Sequence, residues 1–439
     1  MILRRIRVEP LVTRYNSPCV DPTFETAHVQ VSAMTFGPCA IARVGGKSVM
    51  IPAAVPGDVV EIETRPQKHD YALGHIARVV QAAPERREPP CPYAATCGGC
   101  DWQHIRYDAQ VRFKAELLAA EFRHSLGIEL DPHGLVEPAP AEFRYRSRVR
   151  LRTGPGGKIG FHHSGSNSFV AVEACLVAAP PIAVAAGLAG ALGPNCTQIE
   201  VVAGQHGEVL SANLTRAPGA FERKLARQMV DNGTTGVILR SGNLRELFGD
   251  VVIACEVEPG CVIEADADLF SQVNRSQNVR LVAAVMRLAE ISPPMRVLDL
   301  FCGTGNFSLP AARRIACVIG LDRDELAVEA ARANAERMGL KGTQFIAMRA
   351  AEGLRFLLQT GYCPDVLILD PPRAGAAYLI ESMTRLKARR LIYVSCNPST
   401  LVRDLRALIL KGYKVASVRA FDFFPNTHHI ELVVSLLLT

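Results

Sequence analysis

Three side chains of types that could cooperate stand far apart in the chain. Asp370 lies in Leu369-Asp370-Pro371-Pro372-Arg373-Ala374-Gly375, Cys396 in Val394-Ser395-Cys396-Asn397-Pro398, and Glu431 ends Pro425-Asn426-Thr427-His428-His429-Ile430-Glu431. A cysteine at the end of an apolar strand-like run can present a thiolate as nucleophile. Carbon 5 of uracil is a position that needs one: it attacks poorly until a thiolate adds to carbon 6 and generates an enolate, which can then take a methyl group. A base must next remove the carbon 5 proton so that sulfur can leave, and Glu431, just before the last strand-like run, is a candidate. Taken alone, Cys396 reads as easily as a small buried apolar residue.

Upstream, Asp299-Leu300-Phe301-Cys302-Gly303-Thr304-Gly305-Asn306 follows a first strand-like run, and a second such run ends at Asp322. The glycines allow a tight turn and close approach to a ligand, and Asp322 is placed to accept hydrogen bonds from ribose hydroxyls. A dinucleotide site would want a third glycine to bring helix amides onto a pyrophosphate, but Asn306, Phe307 and Ser308 follow instead. Asp299 would repel a pyrophosphate and suit an ammonium and a sulfonium, which favours S-adenosylmethionine. Asp-Pro-Pro also occurs in enzymes that methylate exocyclic amino groups, where an aromatic residue follows; Arg373 stands here, so that chemistry is less attractive.

Cys91, Cys97 and Cys100 form C-x5-C-x2-C around Gly98-Gly99 and call for a fourth ligand. Zinc accepts four thiolates but usually from two close pairs, whereas iron-sulfur clusters tolerate uneven spacing. Phe143 to Arg152 alternates so that, as one strand, Arg144, Arg146, Arg148, Arg150 and Arg152 would share a face. That face could follow RNA phosphates or could be solvated and paired with carboxylates.

The elements needed to position these groups divide the chain into four parts. Residues 1–26 carry Arg4, Arg5, Arg7 and Arg14 without apolar period and read as a loose tail. Residues 27–84 give short strand-like runs broken by Gly, Pro and Asp, the pattern of a small β-barrel. Residues 85–264 open with a charged, Pro-rich linker and a helical run from Arg106 to Ser125, then become mostly β. Residues 265–439 alternate strand and helix, predicting a doubly wound α/β domain whose ligand sits beyond the carboxyl ends of the strands.

Together these blocks resemble the bacterial RNA 5-methyluridine methyltransferases. The resemblance rests on D-P-P-R-x-G, on L-I-Y-V-S-C-N-P-S-T, on the closing F-D-F-F-P-N-T-H-H-I-E, and on Phe270-Ser271-Gln272-Val273-Asn274. It spans nearly the whole chain: Ile51-Pro52 and Val55-Pro56-Gly57-Asp58 look like the family's TRAM barrel, and Cys91 to His104 is also typical. It implies a class I, Rossmann-like catalytic domain, with Cys396 as nucleophile and Glu431 as base. It further implies S-adenosylmethionine contacts from Gln272, Phe301, Asn306, Asp322 and Asp370, and a base stacked on Phe270. The branch with the cysteine motif implies a 4Fe-4S centre completed by Cys175 and a ribosomal rather than transfer RNA substrate, large-subunit RNA being the expectation. Asn426 stands where the family more often has Gln or His, and Asp322 where Glu is commoner.

With 439 residues, 49% hydrophobic and 21% charged, the chain has ample core, which excludes a lone small module and general disorder. The longest apolar stretch, Ile182 to Leu192, is too short to span a membrane. A net charge of +6 tolerates a polyanion without requiring one. Thirteen cysteines behind an N-terminus lacking a secretory apolar core fit a reducing cytoplasm, and no obligate protein partner is evident. The competing readings are a transfer-RNA uridine methyltransferase, an inactive iron-sulfur RNA-binding protein and an NAD-linked oxidoreductase. The last two are disfavoured by the joint presence of Asp370, Cys396 and Glu431 and by the missing glycine.

Overall fold

The computed structural model describes residues 25–66, 71–180, 182–205, 207–315 and 317–439. Of the expected tail at 1–26, all but residues 25 and 26 lies outside the described residues, and those two already begin the strand Glu25–Gln30.

The first unit is a six-stranded, mainly antiparallel sheet built between Glu25 and Gln81. Its alternating pattern buries Val49, Ile51, Val60 and Ile62 inside. The same core takes in Trp102 and Ile105 from the following linker and Ala109 and Phe113 from the helix Tyr107–Leu126. That helix buries its far end, Leu118 and Phe122, in the core of the C-terminal domain, so one 20-residue rod is shared by two hydrophobic cores. At the seam between the N-terminal sheet and the linker, Asp58 is fully buried and accepts from the N–H groups of Val55 and Ala83 and from the Arg86 guanidinium.

The central unit is a seven-stranded sheet with helices Ala183–Leu192 and Ala220–Asp231 packed on it. The unit fits the mostly β expectation, which named neither helix. In Ala183–Leu192 every position is Ala, Gly, Val or Leu, so no polar face marks a helical period. The single long strand expected from Phe143 is also corrected: the strand is Arg148–Thr153, because Arg144 takes a left-handed conformation (φ 54°) and Arg146 makes only isolated bridges to Ala178 and Asn274.

The C-terminal domain is doubly wound. Its eight-stranded sheet runs, in space, Thr343–Ala347, Val318–Asp322, Val297–Leu300, Val366–Leu369, Arg390–Ser395, Glu431–Leu438, Tyr413–Phe421 and Val136–Glu137. The first five strands are parallel, and the four inside the edge strand Thr343–Ala347 are buried on both faces, which is why they read as mainly apolar runs. Strand order reverses between Val297–Leu300 and Val366–Leu369, and ligands of such sheets bind beyond the carboxyl ends at that point. The hairpin Val252–Asp266 packs Val257, Cys261 and Ile263 against the helix Arg275–Ala289 that precedes this sheet. Among the described residues, no helix is long and apolar enough to cross a membrane.

Candidate active site

Cys396 and Glu431 are brought together by strand register. The strand Arg390–Ser395 pairs antiparallel with Glu431–Leu438, and its last paired residue, Ser395, lies opposite Leu432. Cys396 and Glu431 are the next residues on the two strands, and they lie near enough for the glutamate charge to act on the thiol. Glu431 is the first residue of the final strand rather than the residue before it. Cys396 precedes the helix Pro398–Leu410, whose start is fixed by Asn397 capping the Ser399 amide (3.2 Å) and by Pro398 in the first turn. The positive end of a helix favours a thiolate beside it.

The Asp-Pro-Pro-Arg loop is tied to the cysteine loop, since the Arg373 carbonyl accepts from Asn397 Nδ2 (3.2 Å) and Thr400 Oγ1 (3.1 Å). Burial and then the charge of Glu431 push the Cys396 thiol up to about 11, while Arg373 beside it pulls the other way. Burial, reinforced by Asp370, holds the Glu431 carboxyl well above the usual range, again opposed by Arg373. Arg373 is thus a cation acting on both groups, a placement that residue types alone left unassigned.

At the switch point Asp299 is fully buried and accepts from Ser308 Oγ, but its Oδ1 has no partner among the described residues. Burial pushes Asp299 up to about 7, with Asp370 and Asp322 adding to it, and burial does the same for Asp370. A crowd of carboxyls out of water is short of positive charge, which the sulfonium and ammonium of S-adenosylmethionine would supply. The adjoining cavity is lined by Gln272, Phe301, Asn306 and Asp370. Phe301 holds a left-handed conformation (φ 64°) at the turn, and Asn306 is fixed by reciprocal amide bonds with Asn278. Asp322 lies outside this lining. Its Oδ2 accepts from the Gly303 amide (2.9 Å), so it also braces the glycine turn.

Phe270 borders the same cavity and is 74% exposed, so it is no core residue. Arg275 lines it too, and its Nε and Nη2 are buried without a partner among the described residues. Only its side-chain chemistry could have flagged it, since nothing in the sequence says that it faces a cavity.

The five-arginine face is corrected. Arg148 pairs with Glu200 (3.2 Å) and donates to the carbonyls of Ala267 (2.6 Å) and Leu269 (2.7 Å), and Arg150 pairs with Glu200 (3.3 Å). The reason is Glu200 on the neighbouring strand, in register with Arg150, so the carboxylate-paired alternative applies to both.

Cys91, Cys97, Cys100 and Cys175 line one cavity of about 500 Å³. The loop carrying the first three is pinned to the hairpin before Cys175 by Gly98 N–H to His162 O (2.9 Å) and Ser164 N–H to Thr96 O (3.1 Å). Burial, and then the neighbouring cysteines, push Cys100 up to about 12 even though Gln103 opposes the rise. Among the described residues no group of three or more His, Cys, Asp or Glu side chains is arranged to hold a metal ion, these four cysteines included.

The segment from Asp422 to Glu431 is held from every side. Gln277 Nε2 donates to Asp422 O, Asn274 Nδ2 to Phe423 O, Tyr145 OH to Pro425 O and the Trp102 amide to Asn426 O (3.0 Å). Asn426, fully buried with φ 67°, accepts from Arg87 and Gln110 and donates to the Glu142 carbonyl. Asparagine tolerates the left-handed region, and this side chain points to those partners rather than into the cavity around Cys396, so the departure from Gln or His leaves that cavity untouched.

A doubly wound sheet with a glycine turn and an acidic rim at its switch point defines a class I methyltransferase domain, here with a cysteine and a buried glutamate at its edge. The family model for tRNA (uracil-5-)-methyltransferase matches residues 260–438. The 23S rRNA (uracil(1939)-C(5))-methyltransferase RlmD of Mannheimia succiniciproducens is 31% identical over 92% of this chain and 94% of its own length. The RlmD of Salmonella paratyphi A is 33% identical over 90% and 92%. The chain belongs to this family of RNA uracil-C5 methyltransferases. The fold is shared with the Pyrococcus abyssi tRNA (uracil-54, C5)-methyltransferase solved with S-adenosyl-L-homocysteine, at a TM-score of 0.73 and 23% identity over 93% of this chain and 99% of that one.

Proposed function

We propose that the protein methylates carbon 5 of a uridine in 23S ribosomal RNA with S-adenosylmethionine as donor. The observation that carries this reading is the register that brings Cys396 and Glu431 together beside Asp370 and Arg373. The Cys396 thiolate adds to carbon 6, and the resulting enolate attacks the sulfonium methyl through carbon 5. Glu431 then takes the carbon 5 proton, the carbon–sulfur bond breaks, and the thiolate is restored. Gln272, Phe301, Asn306, Asp322 and Asp370 hold the donor; the unpartnered Arg275 guanidinium suits its carboxylate. Phe270 stacks on the extruded base. Arg144, Arg146 and Arg152 are the arginines of that run left for the RNA backbone, while Arg148 reaches it only if its Glu200 pair opens.

Domain roles follow the same reading: residues 27–84 are a TRAM-like RNA-binding barrel behind the tail 1–26, 85–264 the iron-sulfur region, and 265–439 the catalytic domain, in a cytoplasmic enzyme. Cys91, Cys97, Cys100 and Cys175 hold a 4Fe-4S cluster. Four cysteines around one cavity, unevenly spaced in sequence, support a polynuclear centre over zinc, which is usually held by two close pairs. Methyl transfer from a sulfonium moves no net electrons, so the cluster is a structural staple. Protein purified anaerobically should contain iron and sulfide, and folded protein without either would end this assignment.

The test of function is incubation with labelled donor and unmodified 23S ribosomal or transfer RNA. Label should enter carbon 5 of a uridine in the ribosomal RNA, and RNA carrying 5-fluorouridine should be trapped as a covalent adduct. Label in transfer RNA alone would transfer the reading to that substrate, and no adduct on either would remove it.

A further inference from the structure

The cavity around Cys396, about 180 Å³, is walled by Arg373, by the runs Asn397 to Ser399 and His428 to Ile430, and by one residue from far away in sequence, Phe36 of the N-terminal sheet. Phe36 lies in the turn between the strands Ala33–Met34 and Cys39–Val44. That turn is closed on itself, with the Thr35 amide (3.2 Å) and hydroxyl (2.6 Å) both donating to the Cys39 carbonyl. It is also indexed to the catalytic segment. The buried Trp102 indole donates to the Gly37 carbonyl (3.2 Å), while the Trp102 amide donates to the Asn426 carbonyl (3.0 Å). One tryptophan therefore holds the turn and the Asn426–Glu431 run in a fixed relation.

Phe36 is a half-buried aromatic ring on a cavity whose other walls mix the polar side chains of Arg373, Asn397, Ser399 and two histidines with Pro398 and Ile430, and among the described residues it joins none of the hydrophobic cores. The aromatic face is suited to a nucleobase, because stacking needs only a flat π-surface and tolerates a ring held for reaction at its edge or opposite face. Resting on the uridine reading above, we infer that Phe36 is a positioning residue for the target nucleotide: it packs on the uracil entering over Cys396 and keeps carbon 6 within reach of the sulfur. The N-terminal domain then completes the substrate cavity as well as gripping RNA at a distance.

The rate of covalent adduct formation on 5-fluorouridine RNA, at saturating RNA, isolates this role. Phe36→Ala should slow it by about 5- to 100-fold, the worth of one base–aromatic stack, with S-adenosylhomocysteine affinity and melting temperature unchanged. Phe36→Tyr should restore most of the rate, while Phe36→Leu, apolar but without a π-face, should remain slow. Wild-type rates in both the Ala and Leu variants would overturn the inference. So would a loss in Phe36→Ala that only tracks a lowered melting temperature and is shared by Phe36→Tyr. Failure of the wild-type protein to form any adduct would instead fall on the uridine reading and take this inference with it.

Discussion

Cys396 and Glu431 each lie one step beyond the Ser395–Leu432 pair, so the proposed nucleophile and base are delivered by the register of two adjacent strands. Removing each should therefore stop the reaction at a different point. Cys396→Ala should form no adduct with RNA at all. Glu431→Gln should still add to carbon 6 and transfer methyl but fail to release, so that a covalent RNA–protein species accumulates with native substrate while turnover falls by about 10²- to 10⁴-fold. Denaturing gel electrophoresis with labelled RNA separates the two, and free turnover in the Gln variant would show that the proton leaves by another route.

The first step depends on how much of Cys396 is thiolate. With the thiol pushed up to about 11 by burial and then Glu431, the anion is a minor form at neutral pH and grows about tenfold per pH unit below that value. Single-turnover adduct formation should therefore rise steeply between about pH 6 and 9. Arg373 opposes the upward shift, so Arg373→Gln should move the profile to higher pH and slow the step about tenfold at fixed pH. A rate independent of pH across this range in the wild type would mean that sulfur ionisation is not what is being measured.

Glu431 also carries a stability consequence opposite in sign to its catalytic value. Burial, and then Asp370, raise its folded pKa well above that of the unfolded chain, which lies near about 4.3. Below that pH both states hold the proton and its contribution is complete. As pH rises toward and through the folded value, the unfolded chain releases the proton more readily and stability is lost. Glu431→Gln, which keeps the neutral shape without the ionisable proton, should match wild type near pH 4 and melt progressively higher above it. Parallel melting curves from pH 4 to 8 would contradict a carboxyl whose folded pKa is raised by burial.

What could be read in advance follows from the physics of each element. Parallel strands buried on both faces are continuous apolar runs, and Asp370 and Cys396 are legible because Asp-Pro-Pro and Cys-Asn-Pro end two of them. The helix Ala183–Leu192 was hidden by its uniformly apolar composition. Arg148 misled because strand alternation shows which way a side chain projects and never what it meets, here Glu200. Phe36 and Arg275 had no local signal, since each owes its significance to a cavity assembled from distant segments. Asn426 could be seen as a departure, but only its left-handed backbone and its bonds to Arg87 and Gln110 explain why it is harmless.

The catalytic segment is finally anchored by charge. Lys114, on the helix Tyr107–Leu126, and Asp422, at the head of the run leading to Glu431, form an ion pair of 2.7 Å, with side chains 1% and 0% exposed. The ammonium also reaches the Phe424 carbonyl (3.4 Å) and lies 5.7 Å from the Trp102 ring centroid, so it joins the helix, the linker and the active-site run. Removing one member of such a pair leaves the other charge buried and uncompensated, at a cost of about 3–5 kcal/mol, whereas replacing both by apolar groups of similar volume is often close to neutral. Lys114→Met alone should therefore lower stability by about that amount and depress turnover through the displaced Phe424–Glu431 run. Lys114→Met with Asp422→Leu should regain most of the stability in chemical denaturation, yet less of the activity, because the Phe424 carbonyl and Trp102 still lack their cation. If the double variant is as unstable as the sum of the two single ones, the pair is not what links helix to catalytic segment, and the backbone bonds of Trp102 and Gln277 would have to do so alone.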